Sequence, residues 1–103
     1  MKKVVFLGDS KQRIREFPEG ARSRMGSELL RVQFGFEPHD WKPMKSIGTG
    51  VREIRVKDQS GAFRTIYLAT KAEAIYVLHA FQKKTQATAT RDINLAIQRL
   101  RDL

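Results

Sequence analysis

Two stretches rich in β-branched and aromatic residues, Val51–Lys57 and Phe63–Ala69, flank the turn sequence Asp58-Gln59-Ser60-Gly61. A chain with this pattern must carry a β-hairpin through its middle, and everything else has to be arranged around it. Successive side chains of a strand point to opposite faces, so Arg52, Ile54 and Val56 share one face while Val51, Glu53, Arg55 and Lys57 share the other. The second face is the more charged. Ile75–Phe81 is apolar and follows a turn at Lys71–Ala74, which makes it a third strand extending the hairpin into a meander. A helix over Ala72–Ala80 is the competing assignment, and the apolar density beside two strands decides against it.

Ahead of the hairpin, Lys2–Leu7 is rich in Val and Phe and reads as a short buried strand that Gly8 ends. Asp9 and Ser10 are N-capping residue types, and Ile14 and Phe17 share a helical face, so a short helix is expected over Ser10–Phe17. Pro18 lacks an N–H and stops that helix. It suits the first turn of another, in which Ala21, Met25, Leu29 and Val32 recur at helical spacing until Gly35. The two helices are expected to form a hairpin. Phe36–Gly50 contains Pro38, Pro43, Gly48 and Gly50 without a period and reads as a surface loop. After a polar linker, Lys83–Ala89, Thr90 caps a last helix with the apolar stripe Ile93, Ala96, Ile97 and Leu100. The expected order is β-α-α-β-β-β-α: an α+β domain over residues 1–103, with one mostly antiparallel sheet and the helices packed on one face. The opposite face is then left for solvent, a ligand or a partner.

At 103 residues the chain can bury one core and not two. It has no cysteine and only two histidines, which removes disulfides and thiolate sites and argues against a structural zinc. No metal or cofactor is expected. The apolar run Val4–Leu7 is far shorter than the core of a secretion signal, and no segment approaches the roughly 20 apolar residues of a membrane span. A cytosolic protein with no membrane partner is expected. Lys and Arg number 20 against 11 Asp and Glu, a formal net charge of +9 spread from Lys2 to Arg101 rather than gathered in a tail. Such a surface points to a polyanionic partner, RNA first, although DNA or an acidic protein answers the same charge.

Cutting RNA needs no metal. A group activates the 2′-OH, cations stabilise the charge that builds on phosphorus, and an acid protonates the leaving oxygen. His79, of a residue type whose ordinary pKa is about 6.5, can serve either proton role, or it is a histidine satisfied within its strand. Arg55, Arg64, Lys83 and Lys84 can clamp phosphate, arginine in bidentate fashion. Arg55, His79 and Lys83 fall on neighbouring strands and so can converge. Tyr67 or Phe81 can stack on a displaced base, or fill the core. Lys42 and Lys45 beside Trp41 can track a nucleic-acid backbone while the indole stacks, or the indole closes one end of the core. Glu53 and Arg55 act as base and clamp, or form a same-face ion pair worth only ~0.2–1 kcal/mol. Gly48-Thr49-Gly50 lacks the lysine and following helix of a phosphate-binding loop and reads as strand entry. His39 has no assignment. Protease, kinase and dehydrogenase signatures are all missing.

Phe17–Val56, Phe63–Ala69 and Ile75–Thr85 together resemble the phage-derived HigB-like branch of the RelE/ParE toxin superfamily, over Val4 to about Leu100. The most specific parts are Gly50-Val51-Arg52-Glu53-Ile54-Arg55, Arg64 with Tyr67, and Leu78–Lys84. The resemblance implies a small RelE-like fold and the toxin of a type II toxin–antitoxin system, a ribosome-dependent, metal-free mRNA endonuclease that inhibits translation. It also implies a helix-turn-helix antitoxin as partner, operator DNA bound only through that antitoxin, and the ribosome and mRNA as targets. Arg55, Arg64 and the segment holding His79, Lys83 and Lys84 carry over as active-site or RNA-contacting positions, with Tyr67 as the alternative proton carrier. Lys42, Lys45, Arg52 and Phe81 are expected along the RNA. Fold does not fix function, so a gyrase-poisoning ParE-like toxin and a non-enzymatic RNA- or protein-binding module are the alternatives.

Overall fold

The computed structural model describes residues Met1–Leu103, which run β1 (Lys3–Phe6), α1 (Ser10–Arg15), α2 (Glu19–Gln33), β2 (Trp41–Pro43), β3 (Val51–Asp58), β4 (Gly61–Leu68), β5 (Ala74–Lys83) and α3 (Thr90–Arg101). The strands make one five-stranded sheet in the order β1-β5-β4-β3-β2. The central meander β3-β4-β5 is antiparallel, as is the β2–β3 pair, and β1 joins β5 in parallel. At the β3–β4 turn the Ser60 N–H donates to Asp58 Oδ1 at 2.8 Å, and Gly61 takes φ 134°, a conformation that a β-carbon would resist.

The element order differs from the expected one by a strand. Trp41–Pro43 pairs with Arg52–Ile54, and Met44 and Ile47 beyond it are buried, so Phe36–Gly50 is not simply a surface loop. Brevity hid this strand. Its last residue is Pro43, which a sheet accepts at an edge, where one side of the backbone is not needed for pairing. Glu28 on α2 fastens the approach to β2: its Oε1 accepts the His39 N–H at 2.7 Å and its Oε2 lies 2.8 Å from His39 Nδ1.

A second correction concerns the helices, which cover both faces of the sheet instead of one. α1, α2 and the turn between them lay Ile14, Phe17, Ala21, Met25, Leu29 and Val32 against Ile54, Val56, Phe63, Tyr67, Ile75, Val77 and Ala80. On the other face, α3 brings Ala96, flanked by Ile93, Ile97 and Leu100, onto Ile66, Leu68, Leu78 and Phe81. The physical reason lies in β4, which is buried at every position from Phe63 to Leu68. A strand buried on both sides needs a layer on each. α3 starts at Thr90 with Ala89 in the capping position, so Thr90 is its first residue and not its cap. No helix is long and apolar enough to cross a membrane.

β5 contains one irregularity. Ile66 pairs with His79 and Tyr67 with Val77, which leaves Leu78 as an extra, unpaired residue, a β-bulge. Ile75 and Val77 therefore face α1 and α2, whereas Leu78 and Phe81 both face α3.

Candidate functional site

On the α3 side, the apolar centre of the sheet gives way to charge toward the β3–β4 turn and the end of β5. Arg55 lies opposite Arg64 and Arg64 opposite Phe81, while Lys42 lies opposite Glu53, and Lys83 opposite Ala62. Cross-strand partners share a face. Lys42, Glu53, Arg55, Arg64 and Lys83 thus gather on one side of four adjacent strands, spaced about 5 Å apart across the sheet.

Two arginines directly opposite one another repel unless an anion lies between them. Glu53 is that anion. It is 0% exposed, with Oε1 at 3.4 Å from Arg64 Nε and 4.0 Å from Arg55 Nε, and its Oε2 accepts a hydrogen bond from Thr88 Oγ1 at 2.9 Å. Neither arginine Nε–H is hydrogen-bonded, so the attraction is ionic. Burial pulls the Arg64 pKa below its ordinary value; Glu53 opposes that and Arg55 adds to it. Arginine still stays charged across the working range. Lys83 is lowered too, by loss of surrounding water and then by Arg64, Arg55 and Lys42, with Glu53 opposing. A half-buried ammonium with a lowered pKa is better suited to exchange a proton than an ordinary lysine.

His79 belongs elsewhere. It is 0% exposed beneath α3 and stacked on the buried Phe81 ring with centroids 5.4 Å apart. Its Nε2 lies 2.7 Å from Asp92 Oδ1 and its Nδ1 3.3 Å from Arg99 Nη1. A carboxylate only accepts and a guanidinium only donates, so the neutral ring with its proton on Nε2 satisfies both. Burial lowers the His79 pKa although Asp92 opposes. Arg99 also reaches Asp9 Oδ1 at 2.7 Å, and with Arg13 it holds that carboxyl down at about 2. His79 thereby ties α3 to the sheet and, through Arg99, to the start of α1.

The sign of the pH effect follows from that geometry. The neutral His79 contributes stability that is present above the unfolded value of about 6.5 and is lost as pH falls through the lower folded value. Thermal unfolding will show the wild-type chain losing stability from about pH 7 to about pH 5, and His79→Gln, which can donate and accept in the same places, will have a flatter profile over that window. Equal slopes in both chains would place the acid sensitivity in other groups.

Tyr67 and Arg52 lie opposite each other on the α2 side, with the sheet between them and the Glu53 cluster. They line a cleft of about 930 Å³ with Phe34, Phe36 and Glu37. Tyr67 is 1% exposed, its hydroxyl lacks a hydrogen-bond partner, and burial raises its pKa. The Arg52 guanidinium sits 3.9 Å from the centre of the half-buried Trp41 ring and 3.8 Å from Glu37 Oε1. Lys45 lines a separate recess with Trp41, Pro43 and Arg52. Lys84 lines another with Arg13, Arg91 and Asp92 beside the start of α3. Of the residues read from the sequence, Lys42, Arg55, Arg64 and Lys83 come together, with the buried Phe81 beside Arg64 on the same face, while His79, Tyr67, Arg52, Lys45 and Lys84 serve other environments. Thr88 was not foreseen, since nothing in a polar linker marks one hydroxyl as the partner of a buried carboxylate.

No curated protein matches this chain. The family described as phage-derived protein Gp49-like (DUF891) matches residues 12–101, from within α1 to the last residue of α3 and across every strand that builds the cation cluster. The chain belongs to this Gp49-like family, a toxin-like family of the RelE/Gp49 group.

Proposed function

We propose that the chain is the toxin of a type II toxin–antitoxin pair and cuts mRNA on the ribosome, with Arg55, Arg64 and Lys83 around the reacting phosphate. The observation that carries this reading is the gathering of those cations, with Lys42, on one sheet face about the buried Glu53. mRNA lies across the end of β3, β4 and β5. The 2′-oxygen attacks the adjacent phosphorus, its proton passing to solvent, and the bond to the 5′-oxygen breaks. Arg64 and Arg55 bind the non-bridging oxygens as their charge grows, so their binding energy goes into rate. Lys83 delivers a proton to the leaving 5′-oxygen. Lys42 holds a neighbouring phosphate, and the overall charge of +9 suits a ribosomal surface made largely of RNA. His79 contributes through the fold, because its ring nitrogens are occupied beneath α3. The neutralising partner is an antitoxin of the helix-turn-helix kind, through which alone the pair meets operator DNA.

Induced expression in a bacterium, with 5′ ends of cellular mRNA mapped within minutes, tests the reading. In-frame cuts on translated messages, lost when translation is blocked and lost in Arg64→Ala, are the expected result. Growth arrest with a DNA-damage response and intact mRNA would replace it with gyrase poisoning. Salt-sensitive RNA binding without cutting or arrest would leave a binding module.

A further inference from the structure

Glu53 is the buried acidic side chain of the cation cluster, with Asp40 acting on Arg64 from an exposed position, and its burial needs a reason. An isolated buried carboxylate is costly, and here it is offset by two guanidinium groups and a hydroxyl. Being 0% exposed, it cannot touch a substrate. Without it, Arg55 and Arg64 would stand opposite each other with Lys42 and Lys83 nearby, and mutual repulsion would drive the guanidinium groups apart into water.

We infer that Glu53 is a positioning residue: its carboxylate fixes the spacing of Arg55 and Arg64, and Thr88, from the segment between β5 and α3, fixes the carboxylate. The inference rests on reading this cluster as the phosphate site. The device makes the site depend on the 84–89 connection, because one hydrogen bond from that connection orients the group that orients both arginines. It also separates binding from turnover. Removing the negative charge leaves every cation present and raises the net charge by one, so RNA affinity is maintained or increases. Catalysis, which needs the arginines in one geometry, falls.

Lys83 gives an independent readout. It is faced by Arg64 from β4, by Arg55 and Glu53 from β3 and by Lys42 from β2, and of these only Glu53 favours its charged form. Loss of the Glu53 charge therefore moves the basic limb of the pH–rate profile to lower pH, as damage to the fold alone would not.

The experiment compares wild-type, Glu53→Gln and Thr88→Val chains for cleavage on programmed ribosomes and for binding of an RNA oligonucleotide. Glu53→Gln is expected to lower turnover by roughly tenfold to a hundredfold with equal or tighter RNA binding and a shifted basic limb. Thr88→Val, which removes the hydroxyl and keeps the charge, is expected to lower turnover by less than about tenfold with the limb unmoved. Unchanged turnover in Glu53→Gln overturns the inference. So does a parallel loss of folding, binding and turnover in Glu53→Gln while Thr88→Val behaves as wild type. If the wild-type chain binds RNA without cutting it, the nuclease reading fails and the positioning role is read separately, from the Arg55 and Arg64 Nε–H resonances during titration with inorganic phosphate. Distinct resonances in the wild type that broaden in Glu53→Gln support the role, and identical spectra overturn it.

Discussion

Arg64→Ala will slow RNA cleavage by about a hundredfold to a thousandfold, the loss typical when one charged donor to a developing oxyanion is removed. Among the clustered cations, Arg64 has the most restricted side chain, 9% exposed against 31% for Arg55, so its guanidinium starts closest to a fixed geometry. Preorganised charge in a partly dry site stabilises a transition state far more than the same charge on a mobile surface side chain. Arg64→Lys will recover only part of the activity, since an ammonium is a point charge and cannot grip two oxygens in one plane. Single-turnover cleavage of a message on programmed ribosomes measures both variants. Wild-type rates in a folded Arg64→Ala chain would take Arg64 out of the site. The substitution is also expected to be survivable, because Glu53 keeps Arg55 and the Thr88 hydroxyl as partners.

Phe63→Ala will have the largest effect on stability, about 3–5 kcal/mol out of a typical total of 5–15 kcal/mol. The Phe63 ring is 0% exposed and packs on Phe17 with centroids 4.8 Å apart, so it joins the turn between α1 and α2 to the sheet. Truncation loses the transfer free energy of the ring and leaves a cavity that the neighbouring side chains fill only in part. For a domain of this size the melting midpoint should drop by at least about 12 °C. A loss below about 1 kcal/mol in thermal or urea unfolding would mean that this contact does not hold the α1–α2 turn in place. Phe63 and Arg64 are chain neighbours that point to opposite faces. One fixes the strand from below while the other presents charge above it.

The central strands could be read from the chain because their signals are local. Val51–Lys57 alternates, Asp58 to Gly61 is turn chemistry, and α3 shows its stripe at Ile93, Ala96, Ile97 and Leu100. The two-sided layering was not legible, since Arg64 interrupts the apolar run of β4 and makes one face look solvated. Burial of that arginine depends on Glu53, and nothing local distinguishes a buried ion pair from an exposed one. β2 has too few residues to show a period. His79 illustrates a different limit: its residue type suits proton transfer, but only the docking of Asp92 and Arg99 from α3 decides that both ring nitrogens are already used. Arg55 and Lys83 were accessible to sequence reasoning because both fall on strands of the expected meander, whereas Lys42 was read on a loop and joins them only through the unforeseen β2. Tyr67 was read as a base-stacking ring and, on resemblance, as a proton carrier, and parity along β4 puts it on the far side from Arg64.

The extra residue in β5 works as a frameshift written in space. Upstream of Leu78 the odd-numbered positions look toward α1 and α2; downstream, Ala80 looks there instead, and Phe81 and Lys83 look the opposite way. Excising that one leucine would leave Val77 opposite Tyr67 and His79 opposite Ile66, so Phe81 and Lys83 would keep their face and the strand would lose only the bulge and one apolar side chain beneath α3. Tolerance for a change of length in this strand should therefore be asymmetric: loss of Leu78 is absorbed at the bulge, whereas an added residue between His79 and Lys83 turns every later side chain to the other face.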